Sequence, residues 1–412
     1  MPEFVRAYIV VMGLSMLTFS LVLQLNLNFI KKSEIRLYRN YWLAITTISF
    51  FSPNVWIYAI VLVSLLIFSN IRGTDRLSLF MAILCASPLF ILTIPGFGLI
   101  NFLISISYAN ILALLLLLPA YRSTRGQFFY SKNRFDNIVV LYVSVICLLN
   151  FRENTLTNGI RESINFLITI LLPYFAFSRL PTGSDALKKL LFSLFLCLIP
   201  LAVIGSFETL KHWKLYSSSI SQVMDYERGI AYGLRGESLR SSALFSGPLI
   251  LGYAMTVGIG LLPLIGRYCT KKTLIKFFGI LLLSALYFTK ARGSWVGLVA
   301  LVILYLWSGR QRFSNLAKAV AGGLITIAIL SVTSFGEKII SSLPFLAPEN
   351  SHEASTVDYR FRLLERSWIL FQKHPILGLS NYRETPELEV MRQGQGIIDV
   401  VNSYAHIGLS YG

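Results

Sequence analysis

The sequence predicts an all-α polytopic membrane protein of about 11–12 transmembrane helices, with a long outer loop that carries an amphipathic helix. Three observations predict it. Of 412 residues, 55% are hydrophobic and only 14% charged, against about a quarter charged in soluble domains. The mean hydropathy is +0.64. Apolar stretches of roughly 17–25 residues recur along the chain, the length that crosses a hydrocarbon core when each residue rises about 1.5 Å. Helices are the expected form, because a helix satisfies its own backbone hydrogen bonds inside lipid.

Taken in order, the first stretch runs from about Ala7 to Ile30 and lacks an A-x-A cleavage site, so it reads as a retained anchor. Further spans are expected at 41–69, 76–95, 98–120, 137–150, 163–178, 187–207, 242–265, 273–289, 293–308 and 315–334, with a last one opening near 398. The 41–69 stretch is too long for one helix and contains Ser52-Pro53-Asn54, which suggests two short helices joined by a turn. The divisions that follow are an N-terminal transmembrane bundle at 1–207, an outer loop at 208–241, central transmembrane helices at 242–334 and a long outer, periplasmic loop at 335–397. Residues 398–412 then begin a C-terminal transmembrane helix that Gly412 cuts short, which suggests a fragment.

The net charge of +17 would point to nucleic acid in a soluble protein. Here Lys and Arg lie mostly between apolar segments, as topology determinants and headgroup contacts do, so no nucleic-acid partner is expected. Loops 70–76, 121–136, 179–189, 266–276 and 309–318 hold 16 of them, while 96–97, 151–162 and 290–292 hold 4. The first set is therefore expected to be cytoplasmic and both long loops to face outward. Four cysteines, Cys85, Cys147, Cys197 and Cys269, have no CxxC spacing and read as buried packing residues.

Candidate functional residues lie where charge meets that outer face. Lys290-Ala291-Arg292-Gly293-Ser294-Trp295 joins two spans on the side poor in basic residues. A snorkelling pair at the headgroups would account for it, and so would an anion clamp, with Gly293 allowing close approach to a phosphate. Arg240 precedes Ser241-Ser242-Ala243-Leu244 at the next interface. Guanidinium forks there suit a pyrophosphate. A loop ion-pair cluster of Arg228, Arg235 and Arg240 with Asp225, Glu227 and Glu237 is the plainer account. A helix is expected from Asp358 to Lys373, introduced by Ser355-Thr356-Val357-Asp358. Phe361, Leu364, Trp368 and Phe371 make its apolar stripe and Arg362, Arg366 and Lys373 share another face, as in an interfacial helix. His374-Pro375-Ile376-Leu377-Gly378 then turns the chain.

Together, Arg240 with Leu244-Phe245-Ser246-Gly247-Pro248, Thr289-Lys290-Ala291-Arg292-Gly293-Ser294-Trp295-Val296-Gly297, Tyr359-Arg360, the His374 to Gly378 motif and Asn402-Ser403-Tyr404 resemble the O-antigen ligase and O-antigen polymerase superfamily. The motifs run from about residue 235 to the end, and the N-terminal half matches only in hydropathy. The resemblance implies a metal-independent, inverting transfer, without cofactor, of a glycan from undecaprenyl pyrophosphate to an acceptor sugar hydroxyl, in the bacterial inner membrane. It implies that Arg240 and Arg292 hold the pyrophosphate and that Arg360 serves the sugar side. Arg235, Lys290, Arg362, His374, Asn402 and Tyr404 are the expected substrate contacts, and a chain-length regulator is a candidate partner. Ligases of this family typically carry a His before the Asn of Asn-x-Tyr, and this chain has Val401. That favours a polymerase over a ligase. The replacement base is open among His406, His374, Asp399 and Glu365; His406 is preferred among the four, although a polar helix residue hydrogen-bonded to a neighbour is the commoner reading of such a histidine. A transporter or lipid-linked oligosaccharide flippase is the competing class, and it is disfavoured because no internal repeat and no charge near the middle of a span is evident.

Overall fold

The computed structural model describes residues 1–412 except 70, 72, 74, 99, 129–133, 153–154, 181–183, 225–232, 236–237, 309–351, 393–397, 399 and 401. It is an all-α multi-pass membrane protein. Among the described residues, five helices are long and apolar enough to cross a membrane: Glu3–Val22, Leu156–Ser178, Asp185–Lys211, Pro248–Tyr268 and Lys272–Thr289. The expected span at 315–334 lies outside the described residues. The chain divides into two compact units, Met1–Lys132 with Ile168–Gly323, and Asn133–Leu167 with Leu324–Gly412.

In the first unit, α1 (Glu3–Val22), α2 (Lys32–Phe51), α3 (Val55–Ile67) and α4 (Asp75–Ile83) are followed by a hairpin of β1 (Ile91–Pro95) and β2 (Phe102–Ser107). The break at Ser52-Pro53-Asn54 falls where the sequence places it, because Pro53 cannot continue α2 and the Asn54 side chain caps α3 by accepting the Ile57 N–H at 2.9 Å. The expected spans 76–95 and 98–120 are corrected. The apolar run holds a nine-residue helix and a hairpin, and only then helix from Tyr108. Pro88 and Pro95 interrupt helix, and β-branched Ile91, Thr93, Ile94, Ile104 and Ile106 suit strands. At Gly96 an added Cβ would lie 1.9 Å from the Ile100 carbonyl oxygen, so the turn needs glycine there.

Three short segments continue the chain: α5 (Tyr108–Leu112), a π-type turn at Ala113–Leu117 and α6 (Leu118–Phe128). After α7 (Arg134–Leu149), α8 (Leu156–Phe166), a second π-type turn (Leu167–Leu171) and α9 (Leu172–Ser178) comes α10 (Ser184–Lys211). This helix is the axis of the first unit, its apolar span 72% buried. It packs against α1, α4, α12 (Pro248–Tyr268) and α13 (Lys272–Thr289), with Phe192, Phe195, Leu196 and Ile199 in the shared core. At its start, the Lys189 ammonium joins Glu34 of α2 at 2.6 Å and Asp75 of α4 at 2.7 Å. Between α10 and α12 lie α11 (Ser217–Met224), β3 (Leu234–Arg235) and β4 (Ser238–Leu239), and α14 (Arg292–Trp307) packs on α12. Cys85, Cys197 and Cys269 are free and buried as expected, whereas Cys147 is only half-buried.

The second unit holds α7, α8, α15 (His352–Lys373), α16 (Pro386–Glu389) and α17 (Ser403–Tyr411). Helix α15 starts upstream of the expected cap at Ser355, so those residues sit inside its first turns. Its inward face is Leu363, Ser367 and Leu370, packed with Tyr382, Leu388 and Leu409. Most of the stripe read from the sequence points outward, with Phe361 69%, Leu364 49% and Trp368 58% exposed, while Phe371 at its end packs against the core. A helix with one face in its own core and a second apolar face outside it suits seating at a membrane interface.

Candidate functional site

The expected span at 242–265 begins instead at Pro248, whose fixed φ suits the first helical turn. Residues 240–247 are therefore free to form a turn in front of α12. The backbone there docks onto the end of α13: the Ser241 N–H donates to the Phe288 carbonyl at 3.1 Å, and the Arg240 Nε donates to the Thr289 carbonyl at 3.0 Å. Lys290 caps α13 in the left-handed conformation, φ 49°, and its ammonium reaches the Ser238 hydroxyl. Arg292 is the first residue of α14, where the helix N-terminus adds partial positive charge. Arg240, Lys290 and Arg292 thus share one seam between helix ends. Arg235 lies in β3 of the same loop, and its side chain is outside the described residues.

Beneath the seam is an ion pair. Glu208, in the last turn of α10, is 0% exposed, and Lys214 is 1% exposed, with the Lys214 Nζ 3.9 Å from the Glu208 Oε2. The Glu208 Oε1 accepts the Leu215 N–H at 3.0 Å, and its Oε2 accepts the N–H groups of Ala243 at 2.9 Å and Ser242 at 3.4 Å. The Lys214 ammonium donates to the Arg240 carbonyl at 2.7 Å and the Ser242 hydroxyl at 2.6 Å. Burial pulls the Lys214 pKa below its ordinary value, Glu208 pushes it back up and the nearby Arg240 charge lowers it. Among the described residues, the non-glycine residues with positive φ are His212 (50°), Ala243 (49°) and Lys290 (49°). All three flank this site, and such conformations persist only where surrounding contacts hold them.

The other expected residues lie in the second unit. Arg360 and Arg362 are exposed on α15, and His374 is exposed just after it. His374-Pro375-Ile376-Leu377-Gly378 makes a tight turn: Gly378 has φ 59°, and a Cβ there would lie 2.5 Å from the Leu409 carbonyl oxygen. Asn402 is the N-cap of α17, its side chain accepting the Tyr404 N–H at 2.9 Å and the Ala405 N–H at 3.4 Å. Tyr404 is 88% exposed. The His406 Nδ1 lies 2.8 Å from the Tyr382 hydroxyl, which also accepts from the Arg383 Nε at 3.2 Å, and 3.3 Å from the Ser410 hydroxyl. His406 is therefore oriented by a third group, as a working base is, although the same bonds are those of a satisfied helix residue. Arg152 fixes this region by donating to the carbonyls of Leu377 (2.6 Å), Gly378 (3.0 Å) and Ser410 (2.9 Å).

Residues 277–412 match the family model described as O-antigen ligase. The resemblance to the O-antigen ligase and polymerase superfamily holds. The matched residues include Lys290, Arg292, Arg360, His374, Asn402, Tyr404 and His406, while Arg240, Glu208 and Lys214 lie upstream of them. The match supports an O-antigen ligase or polymerase type of activity, which is membrane glycosyltransferase-like and takes lipid-linked glycan and acceptor substrates. The comparisons with curated proteins and with solved structures return no match.

Sequence reasoning missed Glu208, Lys214, Tyr382, Arg383 and Arg152. One signal for Glu208 was present: an acidic residue in the last turn of an apolar helix opposes the helix dipole and needs a local partner. Lys214, six residues on, is that partner.

Proposed function

We propose that this protein is an inverting glycosyltransferase of the inner membrane that joins glycan carried on undecaprenyl pyrophosphate to an acceptor sugar at the outer face. A polymerase of O-antigen or exopolysaccharide is the reading the residues favour. The observation that supports it is the seam at the ends of the apolar helices α12, α13 and α14, where Arg240, Lys290 and Arg292 bring three cations to neighbouring helix ends. Departure of a pyrophosphate leaves negative charge on the carrier, and preorganised guanidinium groups stabilise that charge as it develops. The Arg240 Nε bond to the Thr289 carbonyl sets the plane of its guanidinium. Positioning and charge supply most of what such a transfer needs, together with a base for the acceptor proton, for which His406 is the preferred residue. Arg235 and Lys290 would contact the donor, and Arg360, Arg362, His374, Asn402 and Tyr404 the glycans.

The ligase reading, transfer to lipid A core, is the alternative, and Val401 in place of the ligase histidine weighs against it. A flippase has less support, since cations gathered at helix ends suit chemistry at one face. The test is to replace the gene in its host by Arg240→Ala or Arg292→Ala and to run the envelope polysaccharide on a gel. Loss of the ladder with one repeat unit still attached identifies a polymerase, and loss of all attached glycan with polymer left on the carrier identifies a ligase. Normal polymer from both variants, correctly inserted, overturns the pyrophosphate clamp.

A further inference from the structure

A carboxylate and an ammonium buried to this degree are costly to desolvate, and apolar residues of similar size would commonly serve stability as well. The pair therefore calls for a reason beyond packing. Its bonds give one. Glu208 uses both oxygens on backbone N–H groups, one from the segment after α10 (Leu215) and two from the turn before α12 (Ser242 and Ala243). Lys214 answers in the other direction, from the first segment to the Arg240 carbonyl and the Ser242 hydroxyl of the second. The two side chains form a reciprocal clasp that ties together the two ends of the loop between α10 and α12. Both atoms of Glu208 that could take a substrate proton are already accepting hydrogen bonds in a dry site, so the clasp does not itself touch the reaction.

What the clasp fixes is the four-residue turn Arg240-Ser241-Ser242-Ala243. It holds Ala243 at φ 49°, a conformation that an alanine does not adopt unaided. It grips the Arg240 carbonyl directly, while the Arg240 N–H is held by the Gly233 carbonyl at 2.9 Å and the Nε by the Thr289 carbonyl. We infer that Glu208 and Lys214 are positioning residues for the glycosyl transfer, setting where the Arg240 guanidinium meets the pyrophosphate of a lipid-linked donor. The inference rests on the proposed pyrophosphate-clamp reading and extends it to two residues upstream of the family match.

The test is a double-mutant cycle on full-length protein in host membranes, with lipid-pyrophosphate-linked oligosaccharide extracted from a strain lacking the gene as donor. Rates are measured for Lys214→Met, Arg240→Lys and the double variant, alongside Arg240→Ala, thermal midpoints and membrane abundance. A misplacement of about 1 Å costs on the order of 100-fold in rate. Lys214→Met is expected to lower kcat by about that factor with KM for the donor little changed, and to add almost nothing on top of Arg240→Lys. Should Lys214→Met fail to fold, Ser242→Ala removes one bond of the clasp without stranding a charge and is expected to give a smaller, equally non-additive fall in kcat. An inactive Arg240→Ala protein combined with a fully active or independently additive Lys214→Met, or Ser242→Ala in its place, overturns the clasp as a positioning device and leaves the clamp standing. A fully active Arg240→Ala protein overturns the clamp reading, and the clasp's catalytic role with it.

Discussion

Replacing Glu208 by Gln changes one oxygen to an amide nitrogen and nearly nothing in size, yet the structure makes it a severe substitution. Both oxygens accept backbone N–H groups, from Leu215 on one side and from Ser242 and Ala243 on the other. Glutamine has one acceptor oxygen, so in either amide orientation its NH2 faces a donor. A buried N–H left without an acceptor costs about 1–3 kcal/mol. Lys214 also loses its counter-charge, and breaking one side of a buried pair costs about 3–5 kcal/mol in all. The two losses share the same atoms and do not add in full, so the expected deficit is about 3–5 kcal/mol. Lys214 limits the damage by releasing its proton, because burial and Arg240 already depress its pKa and the raising influence of Glu208 is gone. For a lysine whose folded pKa lies below its unfolded value of about 10.4, the unfolded chain binds more protons between the two values, and stability rises with pH across that window. Glu208→Gln protein in detergent should therefore melt well below the wild type at pH 7, and the gap should narrow as pH rises toward the ordinary lysine range. A wild-type thermal midpoint at pH 7 would refute the reasoning.

Gly252→Ala should destabilise by about 1–3 kcal/mol, since its Cβ would lie 2.3 Å from the Ser294 Oγ and 2.8 Å from the Ser294 Cβ. Adding Ser294→Gly should recover much of the lost thermal midpoint if that contact is the cause. Gly378→Ala meets a carbonyl oxygen and holds φ 59°, so protease cleavage near 374–380 should rise sharply against the wild type. Arg152→Ala removes three bonds to carbonyls from an exposed side chain that water can partly replace, so about 1–3 kcal/mol is expected. Faster amide exchange in 377–379 and 406–411 is the readout. His406→Ala should lower transfer by about 10²–10⁴-fold if it is the base, while Tyr382→Phe, which removes its orienting hydroxyl, should lower it less. Equal and near-wild-type rates from both would assign the proton to another group.

Much of this was legible in the sequence because the physics is local. Length and apolarity alone specify helices in lipid, and Ser52-Pro53-Asn54 breaks a helix wherever it stands. The arginines proposed for the candidate site stood out in the sequence because charge next to an apolar span needs a reason. The hairpin at 91–107 was not, since short apolar runs do not distinguish strand from helix until Pro88, Pro95 and Gly96 are weighed together. The apolar stripe of α15 is legible in the sequence, but its packed face of Leu363, Ser367 and Leu370, which Phe371 joins, depends on partners distant in sequence, such as Tyr382 and Leu409. The Glu208 to Lys214 clasp was missed for the same reason. Its bonds reach 26–35 residues forward to Arg240, Ser242 and Ala243, and no periodicity encodes such contacts.

The most direct measurement is transfer by purified full-length protein in lipid vesicles, given lipid-pyrophosphate-linked oligosaccharide and followed both by glycan length and by release of the lipid pyrophosphate. The account predicts that wild-type protein lengthens glycan with one carrier released per bond formed, and that Arg240→Ala and Arg292→Ala stop both together while remaining folded. Glycan growth by the two variants at the wild-type rate would contradict it.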